Sequence, residues 1–199
     1  MVQPEFPCLK TSTPELESLT DNALMIRVKE GDLDKLGLLF ERYKRPLFGF
    51  FQGMHRDRDL SEDLIQNVFV RILKYRTLFR GDGEFRTWMF HIARNVSHDH
   101  FRKKKVVARD SIEDWEDRIG SDENRLTEYQ HDESHELLSM AMDKLPEDKR
   151  EILLLSKYQE KKYREIAEIL DCSEAAVKVK VFRALQELKE LYRTIESRR

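Results

Sequence analysis

Apolar residues recur at three- and four-residue intervals along most of the chain, with no regular alternation of the period-two kind that marks a strand. The pattern predicts a nearly all-helical protein. A first helix starts after Asp21 and breaks near Gly31-Asp32; the repeat resumes through "LDKLGLLFERY", with Pro46 starting or kinking the next piece. Ser61 reads as an N-cap, with Glu62 and Asp63 in the first turn, of a helix reaching about Leu78 whose core stripe is Leu64, Val68, Ile72 and Phe79. "RGDGEF" reads as a loop and "RTWMFHIARNVSHDHFRKKK" as one helix. Pro146 fits the first position of a later helix through "KREILLLSKY". Two more helices follow, Tyr163 to Leu170 and Ser173 onward, separated by Asp171-Cys172-Ser173.

Two of these helices carry unusual outer faces. In the helix from Phe85, the residues Phe85, Met89, Ile92 and Val96 are spaced 4, 3 and 4 and form a buried stripe. Opposite lie Thr87, His91, Arg94, Asn95, His98 and Arg102, with Lys103 to Lys105 at the end: hydrogen-bonding and cationic groups with no acid among them. Trp88 and Phe90 set large rings beside that face, a combination suited to stacking on unpaired bases. The plainer alternative is a solvated amphipathic helix whose rings pack on neighbours. His91, His98, Asp99 and His100 do not make a metal site, because His98 and His100 cannot share a helical face. The preceding helix exposes Asp63, Gln66, Asn67, Arg71 and Lys74, which alone read as an ordinary solvent face.

The last two helices have the spacing of a helix-turn-helix. Ile166, Ala167 and Leu170 give one buried edge, and Val177, Val181, Ala184, Leu185 and Leu188 continue it after a cap at Ser173. Glu174, Ala175, Lys178, Lys180 and Arg183 are left outside. A helix that enters a DNA groove needs that order, short side chains first and then cations for phosphates and guanine edges. A helical hairpin that only fills a core would share the apolar pattern but not the cationic face.

Composition narrows the class. The chain has 199 residues, enough for one ordinary or two small domains, with 37% charged and 40% hydrophobic positions including 11 Phe. A soluble globular protein is expected despite the mean hydropathy of -0.67. No stretch is long and apolar enough to span a membrane and the N-terminus lacks signal-peptide features, so the expected compartment is the cytoplasm. Cys8 and Cys172 are too isolated for a disulfide framework or a zinc knuckle. Net charge is only -2, but its distribution is uneven. Residues 71–105 hold ten basic residues against three acids, residues 110–136 eleven acids against Arg118 and Arg125, and residues 161–199 ten bases against seven acids. Two modules that touch polyanions and an acidic connector fit that series. With seven glycines, no phosphate loop and no Ser/His/Asp grouping, neither an enzyme nor a cofactor is indicated.

At this point "SEDLIQNVFVRILKYRTLFRGDGEFRTWMFHIARNVSHDHFRKKK" resembles the second conserved region of sigma-70 family RNA polymerase sigma factors, and "LPEDKREILLLSKYQEKKYREIAEILDCSEAAVKVKVFRALQELKEL" resembles the fourth. With only these two regions and a linker, the chain is similar to the compact extracytoplasmic-function (ECF) subgroup. The resemblance implies an all-α protein of two small domains: a loose arm over 1–20, region 2 over 21–105, an acidic linker over 106–134 and region 4 over 135–195. It implies a subunit that binds core RNA polymerase, directs it to promoters and helps open the duplex, without metal or cofactor. Asp63, Gln66, Asn67 and Arg71 would dock on the β′ coiled coil, with the β subunit a further contact. The loop from Gly81 to Phe85 and the face with Arg86, Thr87, Trp88, His91, Arg94, Asn95, His98 and Arg102 would read the −10 element of promoter DNA. Glu174, Ala175, Lys178, Lys180 and Arg183 would enter the major groove at the −35 element. The acidic linker would run toward the RNA exit path, and an anti-sigma factor is a further possible partner. Asp171 stands where the family often has glycine, and Val179 and Lys180 replace a small polar residue and an arginine, which bears on the −35 sequence preferred. The alternative is a stand-alone helix-turn-helix regulator whose N-terminal helices dimerise or sense a ligand.

Overall fold

The computed structural model describes residues 19–110, 133–158 and 162–198, and the regular elements among them are all helical, with no strand. Most of the expected arm and linker lies outside the described residues. Helix α1 (Asp21–Glu30) is capped by the Thr20 hydroxyl, which accepts from the Ala23 N–H, and ends at Gly31, whose φ of 111° suits glycine. Helix α2 (Asp34–His55) runs unbroken through Pro46. The expected break is absent because Leu39, Tyr43, Leu47, Phe50, Phe51 and Met54 are buried on both sides of the proline, and that packing outweighs one missing N–H donor.

Helix α3 (Arg58–Tyr75) starts earlier than expected. Arg56 takes a left-handed conformation (φ 58°) that ends α2, so the chain turns at Asp57, whose side chain accepts from the Leu60 N–H at 3.0 Å. Ser61 is therefore not the cap: it is buried, and its hydroxyl donates to the Asp57 carbonyl at 2.5 Å. A 3-10 turn, Arg76–Leu78, closes this stretch. Helix α4 (Phe85–Asp110) extends past Lys105 into the stretch expected as linker. Its start is held from α1, where the Asn22 side chain accepts from the Phe85 N–H at 2.7 Å and donates to the Gly83 carbonyl at 2.8 Å. That pair fixes the loop "RGDGEF" to the helix it precedes.

Helices α5 (Glu133–Lys144), α6 (Glu147–Leu153), α7 (Tyr163–Leu170) and α8 (Glu174–Glu196) form the second half, with a π-helical segment at Leu154–Tyr158. Pro146 precedes α6 as its N-cap rather than opening it. The first core gathers Phe50, Phe51, Phe85, Met89 and Phe90 between α2, α3 and α4. It continues into the second half: α7 packs on α4, and Gly53 of α2 lets Leu154 approach so closely that a Cβ there would lie 2.6 Å from its Cδ2.

Candidate nucleic-acid interface

The turn between α7 and α8 is built from two local choices. Asp171 sits at φ 50°, ψ 53°, a left-handed conformation that Asp accepts better than most side chains, and its N–H and that of Cys172 both reach the Ala167 carbonyl. Ser173 then caps α8 by accepting from the Ala176 N–H at 3.2 Å. Val177, Val181 and Ala184 are buried in one core with Ile166, Ala167 and Ile169. Leu185, expected in this stripe, is instead 38% exposed, since it sits at the stripe's edge.

Glu174, Ala175, Lys178, Lys180 and Arg183 are all exposed. A Lys178–Glu174 ion pair at 3.3 Å joins two largely solvated side chains and is easily exchanged for a phosphate. Val179, already singled out for its bearing on the −35 preference, and Phe182, which escaped the sequence reading, are 48% and 62% exposed and lie between the cations on the outward side of α8. A helical projection carries the signal, because both positions fall opposite Val177, Val181 and Ala184.

The face of α4 is different. Glu151 of α6, 3% exposed, reaches across so that its Oε2 accepts from Arg94 Nε at 3.2 Å and its Oε1 lies 3.1 Å from His98 Nε2. Asp99 lies 2.8 Å from the Arg71 guanidinium and 3.0 Å from that of Arg102. The expected acid-free face is thus furnished with two carboxylates. Phe90 is fully buried with its ring edge-on to Phe50, and Thr87 is 7% exposed with a hydroxyl that finds no partner among the described residues. Neither belongs to an open surface, because α1, α2, α3 and α7 cover more of α4 than a single stripe. Trp88 is half-buried against Phe79 and Phe85. His91, Asn95, His98 and Arg102 line the part of α4 nearest solvent, with Arg86 half-buried.

On α3, Asp63, Gln66 and Asn67 are exposed along one face, while Arg71 turns aside to Asp99. Val70, 63% exposed, shares that face and adds an apolar side chain to it. The two halves of the chain are tied nearby. Arg150 donates to the carbonyls of Met54 (3.0 Å), Met142 (2.9 Å), Asp143 (2.5 Å) and Leu145 (3.0 Å), capping the ends of α2 and α5 together. Burial lowers its pKa from the usual arginine value and Asp143 opposes that shift. Arg56 of α2 pairs with Asp143 at 2.6 Å. Among the described residues no three His, Cys, Asp or Glu side chains converge as a metal site would require, and no helix is long and apolar enough to cross a membrane.

This geometry defines a helix-turn-helix protein of two helical units. Residues 39–106 match sigma-70 region 2 and residues 135–188 match sigma-70, region 4. The ECF RNA polymerase sigma factor SigM of Bacillus subtilis (strain 168) is 35% identical over 157 residues, which cover 77% of this chain and 93% of SigM. SigX of the same strain, also an ECF RNA polymerase sigma factor, is 31% identical over 158 residues, 77% of this chain and 81% of SigX. The fold is similar to that of CnrH, solved with the cytosolic domain of CnrY, at a TM-score of 0.64 and 22% identity over 87% of this chain and 97% of CnrH. It is also similar to that of the sigma factor RpoE of Bartonella quintana, solved with the anti-sigma factor NepR, at 0.63 and 22% over 79% and 96%. The chain belongs to the ECF group of sigma-70 family RNA polymerase sigma factors. Its function is to direct RNA polymerase to promoters; it is an initiation factor rather than an enzyme, and the stand-alone regulator is not favoured.

Proposed function

We propose that the two promoter elements are divided between α8 and α4. Helix α8 enters the major groove at the −35 element, where Glu174, Ala175, Lys178, Lys180 and Arg183 contact phosphates and base edges and Val179 and Phe182 add apolar contacts. The −10 element is read as its strands separate, by the loop from Gly81 and by Arg86, Trp88, His91, Arg94, Asn95, His98 and Arg102 of α4. Thr87 supports that helix from beneath. Asp63, Gln66, Asn67 and Val70 on α3 dock on the β′ coiled coil, with Arg71 holding α3 to α4 through Asp99. The unit boundaries follow the same division, region 2 over 21–105 and region 4 over 135–195. Region 4 also meets the β subunit, the acidic stretch of 106–134 runs toward the RNA exit path, and the protein works in the cytoplasm under an anti-sigma factor.

The observation that carries this reading is the exposed cationic face of α8, presented by a turn that Asp171 and Ser173 shape. The test is reconstitution with core polymerase and transcription from a promoter that the holoenzyme recovers from a randomised library. Asp63→Ala is expected to weaken polymerase binding while leaving −35 duplex binding by the free protein unchanged. Tight duplex binding without any association with core polymerase would contradict the proposal.

A further inference from the structure

The loop assigned to the −10 element is held at both ends by a helix to which no role in promoter reading has been given. At the end nearer α4, Asn22 of α1 bridges two backbone groups: its Nδ2 donates to the Gly83 carbonyl at 2.8 Å and its Oδ1 accepts from the Phe85 N–H at 2.7 Å. At the other end Lys29, two turns further along α1, donates to the Phe79 carbonyl at 2.7 Å. From this geometry we infer that Asn22 is a positioning residue for promoter reading: it sets the shape in which residues 80–84 receive one unpaired base. The inference rests on the assignment of that loop given above.

Helix α1 is a firm support because it is itself anchored. Asp21, beside Asn22, pairs with Arg42 of α2 at 2.6 Å and accepts from the Tyr43 hydroxyl. The Tyr43 ring meets Phe85 edge-on, so the anchor and the start of α4 share one core. Phe79 and Phe85 sink the flanks of the loop into that core, with ring centroids 6.1 Å apart. Between them Gly81 turns at φ 81°, and Ile26 of α1 lies 3.4 Å from where a Cβ there would stand. A loop ordered in advance loses less freedom when it binds, and the gain appears as affinity.

The pinned loop suits a base better than a phosphate. Arg80, Asp82 and Glu84 are exposed on it, and two of these three charges are acids. Trp88, one turn into α4, packs on both Phe79 and Phe85, so the ring able to stack on a base and the loop beside it stand on the same two side chains.

A simpler role for Asn22 is to cap α4, and that role uses only its oxygen. A helix N-terminus leaves N–H groups in need of acceptors. The bond that Asn22 donates to the Gly83 carbonyl, two residues before the helix, does nothing for that need and acts on the loop alone. Asn22→Asp separates the two roles. It keeps the acceptor, places a carboxylate where a helix N-terminus favours one, and removes the donor.

The test uses holoenzymes reconstituted from core polymerase and the full chain, wild-type or Asn22→Asp. The probes are a single-stranded oligonucleotide carrying the −10 element and a series with one abasic nucleotide moved through it. Asn22→Asp should bind the intact oligonucleotide about tenfold more weakly, with thermal unfolding, polymerase affinity and −35 duplex binding unchanged. At one position the abasic substitution should cost the wild type about tenfold and the variant no more than about twofold; elsewhere the two should lose equally. That non-additivity ties Asn22 to one base, which a general loss of structure would not do. Wild-type affinity of Asn22→Asp for the intact oligonucleotide would overturn the inference, as would equal abasic costs in both proteins at every position. If the wild type itself is indifferent to every abasic position, the assignment of the loop to the −10 element fails and the inference fails with it; the wild-type series alone identifies that case.

Discussion

Helices α4 and α8 carry similar side chains outward, yet one face is partly occupied by the protein itself and the other is open. Arg94 and His98 meet Glu151, and Arg102 meets Asp99, whereas Lys180 and Arg183 on α8 are exposed and Lys178 has only a solvated neighbour on its own helix. The difference shows that a helix pattern specifies which groups face outward but not whether another segment of the same chain will meet them. Glu151 lies 57 residues from Arg94 and 53 from His98, beyond the reach of any periodicity.

Two phenylalanines test that comparison most severely. Phe90→Ala should lower stability by about 3–5 kcal/mol in urea unfolding, because a fully buried ring leaves a cavity. Phe182→Ala should change stability by no more than about 0.5 kcal/mol while weakening −35 binding. Equal costs would erase the distinction between a covered helix and an open one. Next in size, Arg183→Ala should cost about 1–3 kcal/mol of −35 duplex affinity if it reads a base, or lower the salt slope by about one if it meets a phosphate; titrations at several salt concentrations separate the two. Asp171→Val should destabilise by about 1–2 kcal/mol in thermal unfolding, because a β-branched residue resists the left-handed turn, and Asp171→Gly should not destabilise. Smallest is Ser173→Ala, about 1 kcal/mol, measured the same way.

Much of the fold was legible because it is local. The helix order, the break at Gly31, the left-handed Asp171 and the Ser173 cap each depend on a few adjacent residues and a 3.6-residue repeat. The failures arise where distant packing decides. Pro46 has the chemistry of a breaker, but burial of Tyr43 and Leu47 around it holds the helix. Ser61 and Asp57 are both capable caps four residues apart, and the left-handed turn at Arg56 selects Asp57. Phe90 looked available for stacking because α4 was given one buried stripe, while α1, α2, α3 and α7 all pack on it. The surface of α8 was legible except for Phe182, an apolar residue whose helical position points outward.

The division of labour between the two helices is tested most directly by footprinting wild-type, Arg94→Ala and Arg183→Ala holoenzymes on one promoter, with permanganate to mark unpaired thymines. The predicted result is that Arg94→Ala keeps −35 protection but loses thymine reactivity at the −10 element, whereas Arg183→Ala loses −35 protection. Indistinguishable footprints from the two variants would contradict the assignment of separate elements to α4 and α8.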